Sequence, residues 1–462
     1  MPLTSILRTL TDRSLLRQIG RLAWPTVTEM ALQTLVQYVD TAQVGRIGVQ
    51  ASAAVGLTST TTWLVNAPIG AMAMGVLACI SQALGARDEE RVRRAADQSL
   101  LIVLVLGLGM TAATLAAAPF LPGWLGADPE IQHDASLYFG IICLPMLFRT
   151  SSYMFASVLR ATGNSRTPMQ VNLLMNGINV VLNFLLINPS QVWELGPVSI
   201  PMWGAGWGVA GAAIATAASY LVGGTLMFLA VQVCPLFTPR GLRPVPHWDT
   251  LRHCLCISLP IAADRVAVTL GQVAFTALVA QLGTVAVSAH TIALTAEQAF
   301  YVPGYGMQAA AATMAGYAVG GRDEKRLRES SSAIIAIAVV LMGFLSLFLF
   351  LFPDLIMSIF IDTPEVIRLG AQVLRLIALS EPFFAVVIIL EGVFDGVGDT
   401  KTPFLISLFC MWGVRILATW VCVSKFSLGL TAVWLCMIVD NMARFALVVV
   451  RYRGHGWLAA VI

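Results

Sequence analysis

Twelve apolar stretches constrain this chain more than any other feature, each close to or above the roughly 20 residues that carry a helix across about 30 Å of hydrocarbon. They run near 19–45, 52–82, 95–118, 135–159, 168–188 and 204–233, and again near 251–281, 286–318, 330–352, 367–394, 403–424 and 428–450. In lipid every backbone donor and acceptor must be satisfied internally, which leaves helices or a closed barrel. No strand-like alternation with a period of two is present, so helices are expected. Only 11% of the 462 residues are Asp, Glu, Lys or Arg and 57% are hydrophobic, against about 25% charged in soluble domains. So few charges cannot coat a water-facing surface of this size. A soluble enzyme, a disordered chain and a nucleic-acid binder are excluded, and the first partner is the lipid bilayer.

Basic residues fall between alternate stretches. Arg8, Arg13, Arg17 and Arg21 precede the first stretch, Arg87, Arg91, Arg93 and Arg94 follow the second, Arg160 and Arg166 the fourth, and Arg240 and Arg243 the sixth. Arg322, Lys325, Arg326 and Arg328 follow the eighth, Lys401 the tenth, and Arg451 and Arg453 the last, whereas 119–134 and 188–203 hold no Lys or Arg. The positive-inside rule then puts both termini in the cytoplasm and requires an even number of spans. The first stretch is too long and too polar for a cleaved signal and reads as a retained helix. Cys79, Cys143, Cys410, Cys422 and Cys436 lie singly in apolar runs and read as small hydrophobes. Cys254 and Cys256, beside His253, point to different helix faces and lack a second pair at zinc-site spacing. Neither a metal site nor any other cofactor is expected.

The chain also repeats itself. A shift of 235 positions places Gly85, Arg87, Asp88, Glu89, Arg91 and Arg93 on Gly320, Arg322, Asp323, Glu324, Arg326 and Arg328. The same ungapped shift pairs Pro25 with Pro260, Gln37 with Gln272, Gly48 with Gly283, Pro68 with Pro303, and the segment GNSRTP from Gly163 with GDTKTP from Gly398. Two six-helix lobes, 1–235 and 236–462, follow, joined by a basic connector containing Pro235, Pro239, Pro244 and Pro246. An even number of spans per lobe makes the repeats parallel, a transporter architecture with the substrate path between the lobes. Arg87 and Arg322, being duplicated, are expected to pair with nearby carboxylates as scaffold.

An ionisable residue in the middle of a span costs about 2.5–3.5 kcal/mol and marks a functional candidate. Thr26, Glu29, Gln33, Gln37 and Asp40 fall within an arc of about 80° on the first helix, and Asn172, Asn176, Asn179 and Asn183 within about 60° on the fifth. Amides cannot face lipid unsatisfied, so this stripe serves either as interhelical glue or as the wall of a wet cavity. By the plain shift Asp40 corresponds to Phe275, and Asn179 and Asn183 to Val414 and Ala418, which confines this chemistry to the first lobe. Glu29, Glu297 and Glu391 are further candidate cavity acids; Asp440 and Arg444 are spaced for an intrahelical pair, and His290 reads as a packing residue. No HExxH, Walker A or GxSxG pattern is present, so no enzyme is expected, and energy for transport has to come from an ion gradient.

These residues carry a resemblance. The segment Gln33–Gly48 (QTLVQYVDTAQVGRIG), the GARDEE and GGRDEK loops, ATGNSRTP with GVGDTKTP, and Asn179–Ile187 (NVVLNFLLI) resemble, in order, a multidrug and toxic compound extrusion (MATE) transporter, more the DinF-like than the NorM branch. The resemblance covers nearly the whole chain. It implies an all-α, V-shaped antiporter of twelve transmembrane helices, a monomer of the bacterial inner membrane that exports amphiphilic, often cationic compounds in exchange for H+ or Na+. It also implies Asp40 as the ion-coupling residue, with Gln33, Gln37, Asn176, Asn179, Asn183 and Thr216 around the substrate. Asn183 departs from relatives that carry a second aspartate there, and the acids used by the NorM branch fall on Ala267 and Phe384. A flippase for lipid-linked saccharides is the alternative within the same superfamily. The topology is checked with reporter fusions: fusions after Glu90 and Lys325 are expected to report the cytoplasm, and fusions after Leu125 the opposite side.

Overall fold

The structure is a computed structural model that describes residues 12–454 apart from 46, 48, 128, 196, 197, 239 and 240. Arg8, Gly48, Pro239 and Arg240, named above, lie outside the described residues. The helices are α1 (Arg13–Gly45), α2 (Val49–Gly85), α3 (Glu89–Ala117), the short α4 (Leu121–Trp124), α5 (Pro129–Cys143), α6 (Met146–Ala161), α7 (Arg166–Ile187) and α8 (Gly208–Gln232). After the linker come α9 (Trp248–Ala280), α10 (Thr284–Gly320), α11 (Glu324–Leu351), α12 (Pro353–Ser358), α13 (Pro364–Ala378) and α14 (Glu381–Val397). The last are α15 (Lys401–Leu408), α16 (Leu417–Ser424) and α17 (Leu430–Arg453), with a π-helical segment, Phe409–Ile416, between α15 and α16.

The architecture is an all-α membrane fold. Among the described residues eight helices are long and apolar enough to cross a bilayer, and ten if α5–α6 and α13–α14 each count as one bent span. The count expected from the sequence was twelve. Two long helices are outside the ten: α1 (33 residues), diluted by its polar face, and α10 (37 residues), diluted by Gly, Thr, His290 and Glu297.

Three local features differ from the sequence expectation. The stretches 135–159 and 367–394, read as single helices, are bent by 48° and 58°. The breaks coincide with Pro145 and Pro382, whose rings remove a donor and crowd the preceding turn. Segment 188–203, read as a loop, forms an antiparallel hairpin of β1 (Pro189–Leu195) and β2 (Val198–Ala205), with Trp193 opposite Ile200. Pairing across the hairpin satisfies its own backbone groups, and the Trp207 amide that follows donates to the Leu186 carbonyl at the end of α7 at 2.9 Å. The third feature is the π-helical stretch, an unusually long one.

The chain divides into two compact units. The first holds residues up to Ala31, Leu77–Glu89 and the chain from His253 onward; the second holds Leu32–Val76 and Glu90–Arg252. In the first unit, Leu15, Ile19 and Leu22 of α1 pack with Met314, Ile334, Phe394 and Val448, while Phe275, Leu374, Trp434 and Met437 form another core. In the second, Ile69, Phe139, Met146 and Ala213 form one core, and Val44, Ile187 and Val209 another.

Inside the first unit the repeat becomes a contact. A Cβ on Gly85 would strike the Tyr317 carbonyl, and one on Gly320 the Gln82 carbonyl. Gly85 and Gly320 are repeat equivalents, as are Gln82 and Tyr317, so α2 and α10 meet reciprocally. Ser81 and Gly316, also equivalents, touch each other: a Cβ on Gly316 would lie 2.6 Å from the Ser81 Cβ. The loops that follow end alike. Arg87 and Arg322 adopt left-handed backbone (φ 57° and 53°), and the amides of Asp88 and Asp323 reach back to Ala83 and Ala318 at 3.0 and 2.8 Å. The expected pairing of these two arginines is corrected. Both are exposed and make no ion pair among the described residues; ion pairs form instead between Arg94 and Glu90, Arg328 and Glu324, and Lys325 and Glu329.

Overpacking usually costs about 1–3 kcal/mol, and here the obstruction is backbone, which yields least. Gly320→Leu and Gly85→Leu are each expected to cut the yield of folded protein and lower Tm in detergent. Gly109→Leu on α3, with nothing within 4 Å of its Cβ direction, is expected to melt like the parent chain.

Candidate functional site

The second unit gathers four of the residues singled out above. Asn183 Nδ2 donates to Asp40 Oδ1 at 2.6 Å and to Asn179 Oδ1 at 3.2 Å, and Asn179 Nδ2 lies 3.2 Å from the Thr216 hydroxyl. Asp40 comes from the last turns of α1, the asparagines from consecutive turns of α7, and Thr216 from α8. Glycines set the spacing of α8. A Cβ on Gly223 would lie 2.6 Å from Met175 Sδ of α7, and one on Gly224 would meet the Phe148 carbonyl of α6, whose neighbour Ser151 donates to Gly224 O at 2.9 Å.

The amides can serve either protonation state of Asp40. Rotated end for end, the Asn179 amide donates to Asp40 Oδ1 at 2.8 Å and Oδ2 at 3.1 Å while its oxygen accepts from Thr216. An ionised carboxylate only accepts, so that orientation suits it; a protonated one needs an acceptor. Asn183 Oδ1 is buried without a partner, and turning that amide offers it to a carboxyl proton. One carboxyl among reversible amides is an arrangement that can offer a donor to the ionised group and an acceptor to the protonated one.

Other candidates lie elsewhere. Asn176 is buried and Asn172 half-buried on the same α7 face, whereas Gln33 and Gln37 are exposed. Glu29, Glu297 and Glu391 belong to the first unit. Glu29 is buried on α1, where neighbouring Thr26 donates to Gly306 O at 2.8 Å. Glu391 lies 3.9 Å from Arg444. The expected Asp440–Arg444 contact is long, 4.0 Å, because Asp440 is held at 2.6 Å by Arg415 from the π-helical segment. His290 is a buried packing residue: Trp434 Nε1 donates to its Nδ1 at 3.2 Å and Phe275 meets it edge-on. Phe275, the counterpart of Asp40, is wholly buried there.

Three residues of the second unit were not placed by sequence reasoning. Tyr138 and Tyr220 both lie within electrostatic reach of Asp40 and of Arg149. Their one sequence signal is a polar tip in an apolar run, which many packing tyrosines share. Arg149 is visible as a charge inside a span, but its neighbours are not. Among the described residues no group of three or more His, Cys, Asp or Glu is arranged to hold a metal ion.

A Cα-spacing repeat and a polar cluster of this kind invite comparison with known proteins. The MatE family profile matches residues 25–185 and 260–421, two segments that begin 235 positions apart. The chain is 27% identical to a probable multidrug resistance protein NorM of Thermotoga maritima, over 96% of this chain and 93% of that one. It is 24% identical to the probable multidrug resistance protein YoeA of Bacillus subtilis, over 96% and 93%. A crystal structure of MATE in the straight conformation superposes with a TM-score of 0.86 at 24% identity, covering 96% of both chains. An outward-facing multidrug resistance MATE family transporter of the MOP superfamily gives 0.83 at 24%, again over 96% of both.

The site geometry makes a specific demand on Asn183. Asn183→Leu, similar in volume but without hydrogen bonds, is expected to slow transport at least tenfold while the folded fraction seen by size-exclusion chromatography stays near that of the parent chain; Asn183→Asp is expected to retain more activity.

With the family profile covering most of both halves, the chain belongs to the MatE family, whose members are membrane transporters of small drug-like compounds and not enzymes.

Proposed function

We propose that this protein is a proton-driven multidrug antiporter of the bacterial inner membrane, with Asp40 as its coupling residue. The observation that carries the reading is the Asp40–Asn183–Asn179–Thr216 cluster, a single carboxyl among neutral partners that suit either of its protonation states. A proton needs one carboxylate, and Asn183 stands where relatives of the DinF-like branch carry a second. That favours H+ over Na+, while Asp40 together with Ala267 and Phe384 at the positions of the NorM acids favours the DinF-like over the NorM arrangement. The names of the relatives, probable multidrug resistance proteins, support drug-like cargo, and a lone carboxylate as its counter-charge suits amphiphilic, often cationic compounds.

In this reading the chain is a monomer with twelve spans: the eight helices, the two bent pairs, α1 and α10. Lobes 1–235 and 236–462 enclose the path in a V, and both termini are cytoplasmic. A cation and a proton compete for Asp40. Protonation from outside releases cargo there, and deprotonation inside restores the site. One charge moving down 100 mV yields about 2.3 kcal/mol, enough for roughly a forty- to fiftyfold gradient.

The test is efflux of a fluorescent cation from proteoliposomes under imposed proton or sodium gradients. A proton gradient is expected to drive accumulation and a sodium gradient not to; Asp40→Asn is expected to abolish the driven component by at least tenfold. Undiminished proton-driven exchange by Asp40→Asn overturns the assignment.

A further inference from the structure

Arg149 sits just past the bend in the α5–α6 span, in the same unit as Asp40, and is only 6% exposed. Its guanidinium lies over the Tyr220 ring, 4.6 Å from the centroid. Among the described residues it makes no ion pair with any carboxylate, and its Nε has no hydrogen-bond partner. A buried guanidinium without an opposite charge is costly, and a neutral tyrosine that stacks under it and hydrogen-bonds to it offsets only part of that cost. Asp40 does not answer it: its hydrogen bond comes from Asn183 and no ion pair joins it to Arg149 among the described residues. Yet Tyr138 and Tyr220 each lie within electrostatic reach of both charges. The unit therefore carries an acidic and a basic pole that do not pair with each other, and two tyrosines within reach of both. Arginine is also the side chain best shaped to take a carboxylate or sulfonate with two parallel hydrogen bonds.

We propose that Arg149 is a specificity-determining residue that holds the acidic group of an amphiphile whose basic group is at Asp40, with Tyr138 and Tyr220 flanking the aromatic body. The inference rests on the reading of Asp40 given above. It makes zwitterionic amphiphiles better cargo than their esters, because an ester leaves the guanidinium unanswered. It also fits the exchange cycle. With Asp40 ionised the two poles match a zwitterion; once Asp40 is protonated one pole is lost and the cargo is released.

Rhodamine 110, which carries a carboxylate, and rhodamine 123, its methyl ester, separate the two poles with one chromophore. In proteoliposomes under a proton gradient the parent chain is expected to transport rhodamine 110 at least as efficiently as rhodamine 123. Arg149→Gln is expected to lower kcat/KM for rhodamine 110 at least tenfold and to leave rhodamine 123 within twofold. Arg149→Lys, which keeps the charge without the fork, is expected to fall between. Equal losses on both dyes, or no loss on either, overturn the proposal. If Arg149→Gln does not fold, the dye preference of the parent chain decides: tenfold weaker binding of rhodamine 110 than of its ester overturns it. Failure of the Asp40 reading is seen separately, as rhodamine 123 exchange that survives Asp40→Asn.

Discussion

Helix α10 is the member on which the first unit depends, and what it offers its neighbours is backbone. Between helices in lipid there is no hydrophobic drive, so association relies on close van der Waals packing and interhelical hydrogen bonds. Gly320 and Gly316 bring α10 onto α2, Gly306 lies so close to α1 that a Cβ there would fall within 3 Å of the Val27 backbone, and Gly392 and Gly396 seat α14 against Gln308 and Ala312. Gln82 then fastens α2 to the end of α14, donating to the Gly396 and Val397 carbonyls at 2.9 and 3.0 Å. The small residues that make this packing possible are the ones that dilute the hydropathy of α10.

The reciprocity of the α2–α10 contact shows what the duplication conserved and what it released. Equivalent glycines and equivalent turns persist because each is a backbone requirement that substitution would violate; the left-handed backbone at Arg87 and Arg322 shows the shared turn and does not itself call for arginine. The polar cluster obeys no such requirement. Where one half has Asp40 the other has Phe275, packed against His290 beneath Trp434. Scaffold symmetry and chemical asymmetry thus coexist in one chain.

Much of this was legible in the sequence, for reasons that differ by feature. The spans follow from hydrocarbon thickness, and the repeat from a shared string in two loops. Asn179 and Asn183 were expected together because helical period puts them one turn apart, and their meeting with Asp40 follows because buried polar groups have to find partners. The bends were not legible: Pro145 and Pro382 break their helices, whereas Pro25, Pro68, Pro260 and Pro303 sit inside uninterrupted ones. Whether a freed carbonyl is satisfied in place depends on neighbours that one sequence does not display. The environment of Arg149 was hidden for the same reason, since Tyr138 and Tyr220 come from two other helices.

The π-helical turn between α15 and α16 alters the genealogy of the site. A wide turn holds an extra residue without interrupting the helix, and the family profile spans 161 residues in the first half but 162 in the second. Beyond the turn, therefore, equivalent positions lie 236 apart. By that count Asn183 pairs with Thr419 past the turn and Asn179 with Arg415 within it, and both partners are buried polar residues. Arg415 lies over the ring of Phe275, 5.6 Å from its centroid, so the paired positions still face each other. Where one copy has a carboxylate and an amide, the other has an aromatic ring and a cation, so the paired positions carry opposite polarity and both copies hold an interacting pair there.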